Sequence, residues 1–410
     1  GRSPTLNSYE NASIDAVTLN TGARKTIWRG GYFGRYLPTR GDRGHLIYLH
    51  KGVLFGVGFD PERLELEGTP APMVEDIASD PTSGGGQFDI SATGTLVYLE
   101  GSGSKSWTMV SLDAAGKTGP LLPKPAMYYS PRFSPDGRRL AFALEAENGS
   151  DIYVHDFASQ VTSRLTFTQM GNIEPVWTPD GKHLVYRSLR KTSMFWVRAD
   201  GGGEPQRLRE SYEEIQGCSF SPDGRQLAYQ ERNRETGLDV MILPLDLSDP
   251  NHPRPGPPQP LVASPASERY PAFSPDGRWI AYQSDESGNV EVYVRRVPEP
   301  GGKWQISIGG GTMPMWSRKG ELFYQAPDNR IMAVTYEVTE DSFRAGKPRV
   351  WSPARLLNPG FVSFDVAPDG KRFAVLQAPE AGPENKGNLH ATFLLNFFDE
   401  LQRRVPSAAK

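Results

Sequence analysis

Short runs of alternating apolar and polar residues recur along most of the chain, and each follows a tight-turn sequence. A period of two places successive side chains on opposite faces, which is the pattern of a β-strand. The clearest runs lie at 140–142, 184–186, 227–229, 280–282, 322–324 and 373–375. The pattern predicts that two antiparallel strands meet at each turn.

The turn sequence is of the Ser/Thr-Pro-Asp-Gly type and recurs eight times. Proline presets its own φ, aspartate can bond to the nearby backbone, and glycine accepts a positive φ. We therefore expect the aspartates to make turns and not to form a metal or catalytic set. Five copies keep Pro-Asp-Gly, at 135–137, 179–181, 222–224, 275–277 and 368–370, and three weaker copies keep the glycine, at 40–44, 91–94 and 317–320.

A third strand and a fourth, more polar segment follow most turns, as at 151–154 and 164–166. Four antiparallel strands in a repeat of about forty residues are the signature of a β-propeller blade. We predict an all-β fold with eight four-stranded blades, or seven as the second choice. Two stacked β-sandwich domains would also give short strands and turns, but sandwiches do not repeat one turn sequence at near-constant spacing.

The ends of the chain suggest how the ring closes. Residues 12–28 have the pattern of the third and fourth strands of a blade, and the first and second strands are missing before them. Residues 361–397 could supply these missing strands. Pairing these segments would cover both sheet edges, which otherwise tend to aggregate. The prediction is one propeller domain over residues 1–410, closed in this way and followed by a short helix and tail over 398–410.

Composition narrows the function. The chain carries 45 Lys and Arg against 48 Asp and Glu, a formal net charge of -3, without a basic block. This argues against a nucleic-acid partner, which requires a dense positive patch. No apolar run reaches the length of about 18 residues that a membrane helix needs. We expect no membrane contact by this chain itself, although a region before Gly1 could tether it.

Motifs for catalysis are missing from the sequence. It contains no Gly-x-Ser-x-Gly elbow and no His-Glu-x-x-His pair, and its single Cys218 excludes a disulfide framework. We predict no catalytic residue, metal or cofactor. Two other classes stay open. A propeller lactonase or lyase could use metal-bound water held by Glu174, Glu214, Glu213 or Asn172, and a purely structural scaffold would serve protein assembly.

The turn followed by a Leu-Ala-Tyr type strand resembles the TolB-like, WD-repeat-like bacterial propeller motif across residues 30–380. Further segments are similar to the C-terminal propeller of bacterial transmembrane Ser/Thr kinases, at 14–22, 30–31, 36–38, 44–48, 54–60, 68–72 and 394–401. In that family the propeller is extracytoplasmic and is thought to sense or bind. The resemblance implies a periplasmic or cell-surface binding domain, and no kinase motif is present in this chain.

The segments that enter the innermost strands should converge on a central channel. Aromatic, Arg and Glu side chains there would suit a peptide, a protein or a polar small molecule, although they could also bind only water. We predict a non-enzymatic sensor or binding propeller. Its expected ligand-binding residues at the channel mouth are Arg35, Tyr129, Glu174, Glu214, Arg269 and Tyr270.

Overall fold

The computed structural model describes residues 9–40, 43–80, 83–100, 106–146, 149–168, 171–189, 192–211, 213–297, 302–339, 342–378 and 391–405. The weak turn copy at 40–44 includes residues 41 and 42, which lie outside these ranges. The chain divides into two compact units. The first takes residues 1–105 and 380–410, and the second takes residues 106–379.

Strands are numbered along the chain. The first unit begins with β1 (Ser13–Val17), β2 (Arg24–Arg29), β3 (Tyr32–Arg40), β4 (Arg43–His50), β5 (Val53–Asp60), β6 (Glu65–Val74), β7 (Ser79–Asp80), β8 (Gly85–Gly86), β9 (Phe88–Ile90) and β10 (Leu96–Leu99).

The second unit contains β11 (Thr108–Asp113), β12 (Thr118–Pro120), β13 (Tyr128–Phe133), β14 (Arg139–Ala146), β15 (Gly149–Asp156), β16 (Val161–Arg164), β17 (Asn172–Trp177), β18 (His183–Ser188), β19 (Ser193–Arg198), β20 (Gln206–Glu210), β21 (Ile215–Phe220), β22 (Gln226–Asn233), β23 (Gly237–Asp246), β24 (Arg254–Pro255), β25 (Gln259–Val262), β26 (Arg269–Phe273), β27 (Trp279–Ser284), β28 (Glu291–Arg296), β29 (Lys303–Gln305), β30 (Thr312–Trp316), β31 (Glu321–Gln325), β32 (Arg330–Val338), β33 (Phe343–Ala345), β34 (Arg349–Arg355), β35 (Phe364–Val366) and β36 (Arg372–Gln377). The chain returns to the first unit with β37 (Ala391–Leu394) and α1 (Phe397–Arg404).

The first unit has one four-stranded sheet, β3-β4-β5-β6, and one three-stranded sheet, β37-β10-β9. Strands β1 and β2 pair with each other, as do β7 and β8. Helix α1 buries Phe397 and Leu401 in the unit's core and confirms the expected C-terminal helix. No helix in the described ranges combines the length and apolar character needed to cross a bilayer.

The second unit consists of six antiparallel sheets of four or five strands. We call them blade 1 (β13–β16), blade 2 (β17–β20), blade 3 (β21–β25), blade 4 (β26–β29), blade 5 (β30–β34) and blade 6 (β35, β36, β11 and β12). The first strand of each is its inner strand. Successive inner strands pack against one another in the order β13, β17, β21, β26, β30, β35 and back to β13, so the six blades form a closed ring.

Blade 6 closes the ring because it takes strands from both ends of the unit. Strand β11 pairs with β36 from Thr108 opposite Gln377 to Asp113 opposite Arg372. The sequence placed residues 12–28 at this position, whereas the structure pairs β1 with β2 and gives the open edge of β36 to β11. The β-propeller class is confirmed. The eight-blade count is not confirmed, because the second unit closes with six.

Each Ser/Thr-Pro-Asp-Gly turn is held by a small hydrogen-bond network. In blade 1 the Ser134 hydroxyl donates to Asp136 Oδ1 at 2.6 Å, and the Arg138 N–H donates to the same oxygen at 3.0 Å. The Ser134 Oγ also accepts the Arg139 N–H at 2.9 Å. These bonds favour the carboxylate, and the one from Ser134 is the largest cause of the lowered pKa of Asp136. The expectation that the aspartates make turns is confirmed.

The turns also contact each other around the ring. A Cβ placed on Gly277 would lie 3.0 Å from Cδ of Pro222, which belongs to the turn of the preceding blade. Equivalent approaches join Gly181 to Pro135 at 3.6 Å and Gly224 to Pro179 at 3.6 Å. Proline and glycine are therefore paired between blades as well as within a turn.

Replacing Gly277 with alanine should test this contact between blades. Gly277 has φ +71°, and Gly288 has φ +87° with open space around it. A Cβ in the left-handed region costs about 1–2 kcal/mol at either position. We expect Gly277→Ala to lower the free energy of unfolding more than Gly288→Ala, as measured in urea, because only its Cβ also meets Pro222.

The double variant Pro222→Ala with Gly277→Ala provides the check. It should lose less stability than the sum of the two single variants, because the effects of substitutions at contacting residues are not additive. Equal losses for Gly277→Ala and Gly288→Ala would contradict the packing between turns.

Candidate functional site

The six inner strands surround an open cavity of about 640 Å³. Its lining comes from every blade and extends from the middle of the inner strands to their turns. One side chain per blade occupies the same position along the inner strand. These are Arg132, Val176, Ser219, Ala272, Met315 and Asp365. At this position the cavity therefore combines small or apolar side chains with one acidic and one basic side chain on adjacent blades.

Each of several inner strands carries the same irregularity near the cavity. Pairing with the second strand shifts register just before the residues of the lining, and one residue there adopts a positive φ. The residues concerned all precede proline: Ser130 (φ 48°), Glu174 (φ 54°), Tyr270 (φ 51°) and Met313 (φ 53°). Left-handed backbone is uncommon for residues with a side chain, so the surrounding contacts must hold it.

Glutamines of the preceding blade supply some of those contacts. The Tyr270 N–H donates to Gln230 Oε1 at 2.9 Å, and the Met313 N–H donates to Gln283 Oε1 at 3.1 Å. Gln230 and Gln283 are buried and follow the Leu/Ile-Ala-Tyr run of their second strands. The bulges at Tyr270 and Met313 are thus each fixed by a side chain from the preceding blade, and this keeps Tyr270 at the cavity wall.

Arg132 and Asp365 form an ion pair across the junction of blades 1 and 6. Arg132 Nη1 lies 3.6 Å from Asp365 Oδ1, and the Phe133 N–H donates to Asp365 Oδ2 at 2.8 Å. Burial raises the pKa of Asp365 to about 6, although the Arg132 charge and the backbone bonds oppose the rise. The pair places a fixed dipole on the cavity wall.

A second ion pair joins Glu174 to Arg187 within blade 2. The Arg187 guanidinium donates to the two Glu174 oxygens at 3.2 and 3.3 Å, and both side chains are largely buried. Burial is the main cause that raises the pKa of Tyr270, Glu174 raises it further, and Arg269, Arg187 and Arg132 oppose. The tyrosine hydroxyl therefore lies in the field of both ion pairs.

Comparisons with known proteins agree with this architecture. The family described as the TolB beta propeller domain matches residues 92–252. A solved structure assigned as TolB from Agrobacterium tumefaciens superposes with a TM-score of 0.50 at 17% identity, over 67% of this chain and 99% of that one. The second unit has a TolB-like β-propeller fold.

Two curated relatives are uncharacterized. A protein of Agrobacterium fabrum (strain C58) is 25% identical over 66% of this chain and 91% of its own length. The peptidase YuxL of Bacillus subtilis (strain 168) is 30% identical over 40% of this chain. The match spans only 24% of that peptidase.

The TolB-like propeller brings together some of the residues predicted for the channel mouth. Tyr270 lines the cavity, and Glu174 and Arg269 both act on its pKa. Tyr129 lies on the inner strand of blade 1, where its ring packs against Phe361 at 4.7 Å between centroids.

The other two predicted residues, Glu214 and Arg35, are bonded to side chains near them in their own units. Glu214 accepts a bond from Arg232 at 2.9 Å and another from the Gln216 amide. Arg35 belongs to the first unit, where it is paired with Asp89 and lies 4.9 Å from the Phe33 ring. Five of the six predicted residues therefore belong to the second unit and Arg35 to the first, and their joint role in ligand binding stays a prediction.

Sequence reasoning missed Arg132, Asp365 and Arg187. Arg132 and Asp365 stand two residues before a turn Ser134 or Ala367, a position that alternation would turn toward the channel. Arg187 directly follows the run 184–186, the place that Gln230 and Gln283 occupy in other blades. The signal was the polar residue at a fixed offset from the turn.

A buried acid lies at the start of the inner strand of blade 4. Glu268 is fully buried, Ser264 donates to its Oε1, and its Oε2 has no hydrogen-bond partner among the described residues. Burial, aided by Asp239 and Glu286, raises its pKa to about 7. In blade 2 the same place holds Asn172, whose amide donates to Asp151 at 2.9 Å. Among the described residues, no group of three or more His, Cys, Asp or Glu is placed to hold a metal ion.

Glu268 should make stability depend on pH. Because its folded pKa is about 7 against a usual 4.5, the folded state binds the proton more tightly. Stability should therefore fall as pH rises between these values, by about 1–3 kcal/mol. We expect Glu268→Gln to remove this fall, measured by urea unfolding at about pH 5 and pH 8.

The converse variant is Asn172→Asp, which introduces a second carboxyl beside Asp151. It should add a fall in stability over the same pH range. Parallel pH curves for the wild type and Glu268→Gln would contradict the assignment of a neutral Glu268 in the folded state.

Proposed function

We propose that the six-bladed unit binds a ligand in its central cavity, and that the protein acts as a non-enzymatic sensor or binding propeller. The observation that carries this proposal is the open central cavity of about 640 Å³ with two ion pairs beside it. Its size falls within the range of about 300–1,000 Å³ that is typical of small-molecule sites. Such sites have mostly apolar walls and a few convergent polar groups.

The polar groups are arranged for recognition. Asp365 is held by Arg132 and by the Phe133 N–H, and Glu174 is held by two bonds from Arg187. Groups fixed in this way lose little conformational freedom when a ligand arrives. Because each carboxylate is engaged by an arginine, the arrangement favours binding over proton transfer. A peptide end or a polar small molecule with an apolar body fits this surface.

We also propose that the domain acts outside the cytoplasm, as part of a larger receptor such as a transmembrane Ser/Thr kinase. The TolB-type match over residues 92–252 supports the comparison with exported propellers. The segments at 14–22 and 394–401 support the comparison with kinase-attached propellers. No nucleic-acid partner is proposed, because the chain lacks a basic block.

Filling the cavity should abolish binding. Ala272→Phe adds a ring to the cavity wall, whereas the backbone carbonyl of Ala272 keeps its bond from Trp316 Nε1 at 2.8 Å. The probes are N-acetylated tripeptides and aromatic carboxylates, each also prepared as its amide. We expect the wild type to bind at least one probe at a 1:1 ratio, and Ala272→Phe to weaken it at least tenfold in ligand-observed NMR and calorimetry.

Val161→Phe is the matched control, because Val161 is an exposed residue of an outer strand. It should bind as the wild type does, and both variants should keep their β-sheet circular dichroism. The proposal fails if no probe binds the wild type, or if Ala272→Phe binds as tightly. Stoichiometric calcium or zinc in the purified protein would contradict the non-enzymatic assignment.

Export is tested separately with the full natural protein. Alkaline phosphatase is active only outside the cytoplasm, so a fusion placed after residue 410 should show activity in intact cells. A stable fusion without activity would overturn the extracytoplasmic assignment and leave the cavity proposal standing.

A further inference from the structure

One blade departs from the turn sequence at the rim of the cavity. Five turns place a proline in the cavity lining: Pro135, Pro179, Pro222, Pro275 and Pro368. Blade 5 has Ser317-Arg318-Lys319-Gly320 instead of Ser-Pro-Asp-Gly, and Arg318 takes the place of the proline in that lining. The rim is therefore a ring of five prolines and one exposed arginine.

Arg318 does not take over the packing role of the prolines. In four other blades the turn proline approaches the turn glycine of the next blade, as Pro368 lies 3.5 Å from a Cβ placed on Gly137. A Cβ on Gly370 would instead meet Ser317 Oγ at 2.7 Å and Lys319 Cδ at 3.9 Å. In blade 5 the contact between a turn proline and the turn glycine of the next blade is therefore absent, and Arg318 does not replace it.

The charge of Arg318 is not neutralised locally. The turn aspartate is replaced by Lys319, and the nearby Glu321 accepts a bond from Arg349. The structure shows no hydrogen bond or ion pair for Arg318 within its described ranges. By contrast, Arg278 beside the turn of blade 4 is paired with Asp276 at 2.9 Å.

The charges of the cavity lining do not balance. Three of its residues are charged: Arg132, Asp365 and Arg318. Arg132 and Asp365 form an ion pair, so the charge of Arg318 is the unpaired one. Val176, Ala272 and Met315 give the interior apolar surface, and Ser219 and Ser274 add polar groups. The lining is thus mixed, and it carries one unpaired positive charge at its rim.

We propose that Arg318 binds the carboxylate of a ligand whose apolar or aromatic body occupies the cavity. A guanidinium can donate two parallel hydrogen bonds to a carboxylate, which fixes its orientation as well as its charge. This inference rests on the proposed function and specifies its ligand. The carboxylate could belong to a small aromatic acid or to the C-terminus of a peptide.

The experiment compares acids with their own amides. The probes are indole-3-propionate with indole-3-propionamide, and N-acetyl-Leu-Phe with its C-terminal amide. Each pair shares one body and differs in charge. We expect the wild type to bind at least one acid tenfold or more tightly than its amide, as measured by calorimetry at low salt. Which pair shows the difference identifies the source of the carboxylate.

Substitutions of Arg318 should remove this difference. Arg318→Pro restores the residue of the other five turns, and Arg318→Ala removes the charge without a ring. Both should bind acid and amide equally, with unchanged thermal midpoints because the side chain is exposed. Arg318→Lys should keep part of the preference. Lys319→Ala is the matched control, since Lys319 is an adjacent exposed cation outside the cavity lining, and it should keep the full preference.

The outcomes separate the two proposals. Equal binding of acid and amide by the wild type, or equal loss of preference in Lys319→Ala and Arg318→Ala, overturns the role of Arg318. If Ala272→Phe still abolishes that binding, the cavity function stands without it. If neither acids nor amides bind the wild type, both proposals fail.

Discussion

The second unit depends on one strand pairing, that of β11 with β36. The ring of six blades closes because the sheet of the last blade is completed by β11, a strand from the start of the unit. An unpaired edge on β36 would expose backbone donors and acceptors to other chains. The pairing covers that edge, and it brings β35 against β13, where Asp365 meets Arg132. The same junction therefore closes the fold and builds one of the two ion pairs beside the cavity.

The candidate chemistry arises where the repeat is broken. The turns, the second strands and the bulges follow one pattern in most blades, and this regularity builds the wall. Recognition needs asymmetry, and it comes from single positions: an arginine and an aspartate on adjacent blades, a tyrosine at one bulge, and an arginine in place of a turn proline. Each departs from its equivalents in other blades without disturbing the strands that carry it.

Much of the fold could be predicted because its determinants are local. The turn at 134–137 needs only its own serine, proline, aspartate and glycine, and the alternation at 140–142 belongs to one strand. The short helix was also found within one residue of its start. Ring closure could not be predicted in the same way, because Thr108–Asp113 and Ser13–Val17 both have the pattern of a β-strand. The sequence does not say which of the two pairs with the free edge of β36. Arg35 was grouped with the other five because its position in a strand is local, whereas its membership of a unit depends on contacts between distant parts of the sequence. Glu174 and Tyr270 share one offset from their turns, and their role as ligand-binding residues stays a prediction.

The order of the strands along the chain has a consequence for unfolding. Strand β10 precedes the six blades and β37 follows them, and these two strands pair from Leu96 opposite Leu394 to Leu99 opposite Ala391. The ring is therefore an insertion between β10 and β37, and the pairing of these two strands holds its two ends together. If β11 leaves β36, the freed ends remain tethered, and the entropy gained on opening is smaller than for loose termini. Rejoining of β11 and β36 is then an intramolecular event at high effective concentration. The pairing of β10 with β37 in the first unit therefore favours the pairing of β11 with β36 in the second.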